Sequence, residues 1–146
     1  MNKKELVTTL IEQHRIIQAD LLSALKKALT KVNGNKKMIL GGILLDFQKF
    51  SKDLATHLAL ENGTFYVDYL SKQKQAGQNT AKTEKFIEEM NRIGKTVYAF
   101  LEKYNTIEKI EASFSDFGKE LESIINILNT RIETEEEGVY QFYLMM

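Results

Sequence analysis

No proline occurs anywhere in the 146 residues of this chain. Proline ends helices because it lacks a backbone N–H and its ring collides with the preceding turn. A chain of this length without one is free to hold long, uninterrupted helices. Strand signals are nearly absent: no stretch alternates apolar and polar residues, and the β-branched residues do not cluster. Three breaks divide the chain: VNGN at 32–35, QAGQN at 75–79, and a weaker one within 105–115. Asn105, Thr106, Ser113 and Ser115 are candidate N-caps at the third break. Gly41-Gly42 is placed to fray or kink the start of the second helix. The chain therefore reads as four helices.

Apolar residues recur along each helix in steps of three and four. Helix 1 carries Val7, Leu10, His14, Ile17, Leu21, Leu25 and Ala28. Helix 2 carries Phe47, Phe50, Leu54, His57, Glu61 and Phe65. Helix 3 carries Phe86, Met90, Ile93, Val97, Phe100 and Tyr104. Helix 4 carries Phe114, Phe117, Leu121, Ile124, Leu128, Arg131, Glu135, Val139 and Phe142. Such spacing belongs to helices packed nearly parallel or antiparallel, and short turns make successive helices antiparallel. The expected fold is all-α, a single up-down-up-down antiparallel four-helix bundle over residues 1–146.

Composition narrows the function classes. Lysine plus arginine equals aspartate plus glutamate, 20 against 20. A net charge of zero gives no support for a nucleic-acid or anionic membrane partner. The basic stretch KKALTKVNGNKK spans a turn and lacks aromatic interleaving, so it reads as a solvated corner. Without cysteine there can be no disulfide, zinc finger or iron–sulfur cluster. The longest apolar stretch, MILGGILL at 38–45, is far too short to span a bilayer. The N-terminus has no unbroken apolar run of the signal-peptide kind. A soluble cytoplasmic protein is the expectation. There is no nucleophile elbow and no phosphate-cradling glycine loop, so nothing points to hydrolytic or phosphoryl chemistry.

The informative residues are those that break the stripes. His14 interrupts helix 1, His57 and Glu61 interrupt helix 2 one turn apart, and Arg131 and Glu135 interrupt helix 4. Extending the helix 3 stripe backwards from Phe86 gives Thr83 and Asn79. In antiparallel order all of these fall toward one end of the bundle, so one polar layer is expected inside an otherwise apolar core. Buried imidazoles and carboxylates are costly unless something pairs them, either a metal ion or a protein partner. The run ETEEE at 133–137 reads as a solvated face with one or two glutamates turned inward. Tyr66, Tyr69, Tyr140 and Tyr143 read as packing and rim aromatics. Gly63 and Gly138 read as close-packing positions, with room for a small ligand as the alternative.

These residues resemble the hemerythrin-like (HHE cation-binding) four-helix bundles. FSKDLATHLALENGTFYVDYL resembles the family's His-x-x-x-Glu segment and the aromatics after it. FSDFGKELESIINILNTRIETEEEGVY resembles its leucine-rich approach to a His-Ile-x-x-Glu-Glu segment. LIEQHRIIQADLLSAL resembles its single-histidine helix, and TEKFIEEM the start of its third helix. In that family histidines and bridging carboxylates hold two non-haem irons. His14, His57 and Glu61 match ligand positions. Glu135 matches the second carboxylate in the common spacing, and Glu136 in that of the oxygen carriers; the stripe favours Glu135. Arg131 stands at the helix 4 histidine, and Asn79 and Thr83 at the helix 3 histidine positions, as remnants of the second iron's site. Arginine stays protonated and has no lone pair to give a metal.

What survives is two imidazoles and two carboxylates, a set suited to one divalent ion such as iron, manganese or zinc, completed by water. The resemblance implies binding or sensing of metal, oxygen or a related small diatomic molecule. Reversible oxygen binding of the peroxide-forming type needs two irons and is not expected. Two alternatives stand beside this reading. In one the bundle is metal-free, Arg131 is paired with the core carboxylates, and the chain acts through a partner or self-association. In the other it is a mononuclear iron enzyme, since two histidines and a carboxylate resemble the ligand set of non-haem iron oxygenases.

Overall fold

The computed structural model describes residues 1–30 and 36–146, so the expected break at VNGN lies outside the described residues. The described residues are almost wholly helical, and there is no strand among them. In chain order the helices are α1 (Lys3–Leu29), α2 (Lys36–Leu60), α3 (Tyr66–Gln75), α4 (Ala81–Lys103), α5 (Ile107–Ala112), α6 (Phe114–Thr134) and α7 (Tyr140–Met145). Two five-residue π-turns, Glu61–Phe65 and Glu135–Val139, join α2 to α3 and α6 to α7 without a break. The fourfold division thus gains a short helix, α5, within the third break.

Local chemistry explains the ends. Asn2 caps α1 with a reciprocal capping box to Glu5. The break at 75–79 is made by Gly77, whose φ of 71° favours a residue without a Cβ. The Thr106 side chain caps α5 by accepting from the Lys109 N–H. Gly41-Gly42 neither ends nor splits α2. Cross-helix pairs set the directions. Lys49 bonds Asp20 at 2.9 Å and Ser23 bonds Asp46 at 3.0 Å, so α1 and α2 run antiparallel. Lys103 meets Glu120 at 2.7 Å while Arg131 meets the Phe86 carbonyl at 2.8 Å, so α4 and α6 do the same.

Two hydrophobic clusters fill the interior. The larger is built on Ile17, Leu21, Ile43, Phe47, Phe50, Leu54, Val97, Phe100, Tyr104, Phe117, Leu121 and their neighbours. The smaller holds Leu6, Val7, Leu10, Phe65, Tyr66, Tyr69, Tyr140 and Tyr143. The stripes of α1, α2 and α6 cross from one cluster to the other at His14, at His57 and Glu61, and at Arg131 and Glu135. These five side chains are all buried.

The helix 4 stripe departs from expectation at both ends. Phe114 is 43% exposed and Phe142 is 59% exposed, whereas Tyr140 and Tyr143 are buried. At the later end the cause is the π-turn. Its bond from the Tyr140 N–H to the Glu135 carbonyl spans five residues, inserting one residue into the register. Everything downstream rotates by about 100° relative to an α-helical projection. The turn after Glu61 does the same for Tyr66 and Tyr69.

This phase shift is testable by truncation. Phe65 is fully buried against Tyr66, Tyr69, Tyr140 and Tyr143, so Phe65→Ala should cost roughly 3–5 kcal/mol in chemical denaturation. Phe142→Ala should change stability by no more than about 0.5 kcal/mol. Equal losses would refute the register described.

Candidate metal centre

Each helix that crosses the layer brings its polar side chains to one point. His14 comes from the middle of α1 and His57 from the last turn of α2. Glu61 and Glu135 each open a π-turn. One donor atom from each of these four residues lies within 4.8 Å of the others, and all four residues are buried. The two imidazole Nε2 atoms are 3.1 Å apart, His57 Nε2 is 2.9 Å from Glu61 Oε2, and His14 Nε2 is 3.5 Å from Glu135 Oε1.

The far side of each ring is already held. His57 Nδ1 donates to Gln13 Oε1 at 2.8 Å, and His14 Nδ1 donates to Glu136 Oε2 at 2.7 Å. Both Nε2 atoms are thereby turned into the layer, the arrangement by which outer partners orient metal-ligating histidines. Glu136, an alternative second carboxylate by sequence, is therefore behind the His14 ring, where it also bonds Arg15. Glu135 is the one in the group. The rest of ETEEE follows the solvated reading, with Glu133 and Glu137 exposed.

Two tyrosines complete the layer by crossing between the π-turns. Tyr66, five residues after Glu61, donates to Glu135 Oε2 at 2.8 Å. Tyr140, five residues after Glu135, donates to Glu61 Oε2 at 3.1 Å. Both pack in the interior as expected, but neither is at the rim, and each also makes a polar bond inside the layer. Both phenols are buried, and burial together with the two carboxylates pushes their pKa far up. A signal for them exists in the sequence: the pattern Glu-x4-Tyr-x2-Tyr occurs at 61, 66 and 69 and again at 135, 140 and 143. Gln13 has no comparable signal.

Arg131 lies at the edge of the layer. Its guanidinium stacks on the Phe86 ring with Cζ 3.2 Å from the centroid, and NH1 donates to the Phe86 carbonyl. Its Nε is 3.9 Å from Glu135 Oε1, and NH2 is 3.4 Å from the Tyr66 oxygen. The guanidinium does not lie between the two carboxylates. Asn79 and Thr83 stand outside the layer. Asn79 is exposed and accepts from the Ala81 N–H ahead of α4, and Thr83 is half-buried in an open surface groove. Gly63 and Gly138 are not close-packed: a Cβ at either would meet open space.

The residues fit one ion. A small cavity of about 10 Å³ is lined by His14, His57, Glu61, Arg131 and Glu135 together with apolar neighbours. That is close to the space of a single water. Glu61 Oε1 is buried without a hydrogen-bond partner, an orphan that a cation would satisfy. Among the described residues, His14, His57, Glu61 and Glu135 form the one group of three or more histidine and carboxylate donors that could hold an ion.

The chain belongs to the hemerythrin HHE cation-binding domain family, whose model matches residues 5–143. Comparison with curated proteins and with solved structures gave no match.

Charge in the ion-free layer is divided unevenly between the histidines. Burial and the neighbouring charge of His14 lower the His57 pKa from 6.5 to about 4. Burial also opposes charge on His14, but Glu135, Glu136 and Glu61 outweigh it and raise its pKa above 6.5. Burial and then Glu61 raise the Glu135 carboxyl. Between pH 6.5 and about 4 the unfolded chain takes up a proton that folded His57 refuses. The stability this carries above pH 6.5 is lost as the pH falls toward 4. The His14 contribution has the opposite sign and is lost as the pH rises through its raised value. Melting of metal-free protein across pH should show both slopes, and His57→Gln should flatten the acid side alone. An unchanged acid slope in that variant would refute the assignment.

Proposed function

We propose that this chain is a hemerythrin-like four-helix bundle, running up-down-up-down, that holds one non-haem divalent ion on His14, His57, Glu61 and Glu135. Iron is the first candidate, and the work proposed is binding or sensing of metal, oxygen or a related small diatomic molecule. The carrying observation is the pair of imidazoles whose Nδ1 atoms are bonded to Gln13 and Glu136 while both Nε2 atoms face one buried carboxylate pair. When bound, the ion would supply Lewis acidity and, as iron, one-electron chemistry. The chain's own residues orient the ligands through Gln13 and Glu136, fix the carboxylates through the phenols, and exclude water with the two hydrophobic clusters. The small cavity between these side chains supports a bound ion.

Anaerobic iron loading followed by elemental analysis tests this. About one iron per chain is expected, and none in His57→Ala. Two per chain, or none in either protein, overturns the proposal.

A metal-free network is the second reading, favoured by Arg131 and a charged His14 offsetting Glu61 and Glu135. It separates from the first by stability. Arg131→Leu should cost roughly 3–5 kcal/mol in the metal-free protein, because a buried carboxylate loses its countercharge. If an ion binds, adding iron should restore part of that loss; on the metal-free reading iron changes nothing.

A further inference from the structure

The two crossed tyrosines are not equivalent. Tyr66 faces Glu135 Oε2 at 2.8 Å and Arg131 NH2 at 3.4 Å, away from both imidazoles. Tyr140 faces Glu61 Oε2 at 3.1 Å and His14 Nε2 at 3.4 Å, so its oxygen touches two of the donor atoms. Its ring stacks on the His14 ring, with centroids 5.7 Å apart and planes 15° from parallel. Taken in order, His57 Nε2, His14 Nε2, Tyr140 Oη and Glu61 Oε2 close a circuit with separations of 3.1, 3.4, 3.1 and 2.9 Å. A first-row ion with bonds of about 2.0–2.2 Å sets neighbouring donors about 2.8–3.6 Å apart, depending on whether its shell is octahedral or tetrahedral. All four separations fall in that range, and so does the 3.5 Å from His14 Nε2 to Glu135 Oε1.

The geometry points to Tyr140 as a fifth ligand, giving this site a phenolate oxygen when it holds a ferric ion. The inference rests on the one-ion site proposed above. The step balances without any redox partner: the iron–oxygen bond forms, the phenolic O–H bond breaks, and the proton is released. A cation makes this feasible where burial and carboxylates alone oppose it, since a bound metal inverts the local preference for the neutral form. The π-turn is what makes the residue available. Five residues after Glu135, Tyr140 turns into the layer rather than onto the surface occupied by Phe142.

A ferric phenolate absorbs in the visible by charge transfer from oxygen to iron, which imidazole and carboxylate ligands alone do not match. Ferric ion is added to the purified chain, and iron content is measured beside the visible spectrum. The expected result is a visible band in the wild type, lost in Tyr140→Phe with iron still bound, and kept in Tyr69→Phe. If Tyr140→Phe fails to fold, resonance Raman on the Tyr66→Phe protein decides, because phenolate ring modes that shift on ring-deuteration of tyrosine then report Tyr140. Iron bound without the band, or a band that survives Tyr140→Phe, overturns the ligand assignment while leaving the one-ion site standing. No iron bound at all overturns the one-ion site, and this inference with it.

Discussion

The structure depends on the exchange of hydrogen bonds between the two π-turns. Glu61 and Glu135 bring two buried carboxylates close together in a low-dielectric interior, an arrangement that repulsion and desolvation oppose. Tyr66 and Tyr140 answer it by each crossing to the carboxylate of the other turn. A phenol stabilises a carboxylate by donation without adding a charge, so neither bond disturbs the balance among His14, Arg131 and the glutamates. The same crossing joins the late part of the second bundle helix to the late part of the fourth. The residues that make the site polar are therefore also the ones that close that end of the fold.

The π-turns are the geometric condition for this. In a regular α-helix a residue five positions after Glu61 or Glu135 would point well away from it. The inserted residue returns Tyr66 and Tyr140 toward the interior and turns Phe142 out. Such insertions recur at functional sites because they re-aim a side chain without ending the helix. Phe65 then packs the junction, touching both tyrosines of each turn's tail.

Much of this was legible in the sequence, because burial follows helical periodicity wherever the helices stay regular. His14, His57, Glu61, Arg131 and Glu135 all fall on stripes of threes and fours, and all five are buried. The reading failed where the period changed. On a projection that assumes no inserted residue, Tyr66 and Tyr140 read as packing and rim aromatics with no polar partner, and Phe142 read as core. Asn79 and Thr83 were placed by extending a stripe back from Phe86; Thr83 falls in the first turn of α4, and Asn79 ahead of it satisfies the Ala81 backbone instead. Gln13 could not be found from periodicity, since it sits one residue off the buried face and reaches inward only through its length. Arg131 was found, but its partner was not: the Phe86 ring and carbonyl, which no charge-counting argument would select, hold it.

The division of the core into two clusters has a consequence for how the molecule breathes. The smaller cluster holds eight buried residues drawn from α1, the first π-turn, α3 and α7, and it is separated from the larger core by the polar layer. Opening that end would expose its aromatics to water while the larger cluster stays packed, the condition for a locally cooperative unit. The free energy that holds it shut comes partly from the layer beneath. An ion held in that layer would therefore raise amide-proton protection at the chain's C-terminal end. A buried event at His14 and His57 would be felt at the surface through the looseness of the tail.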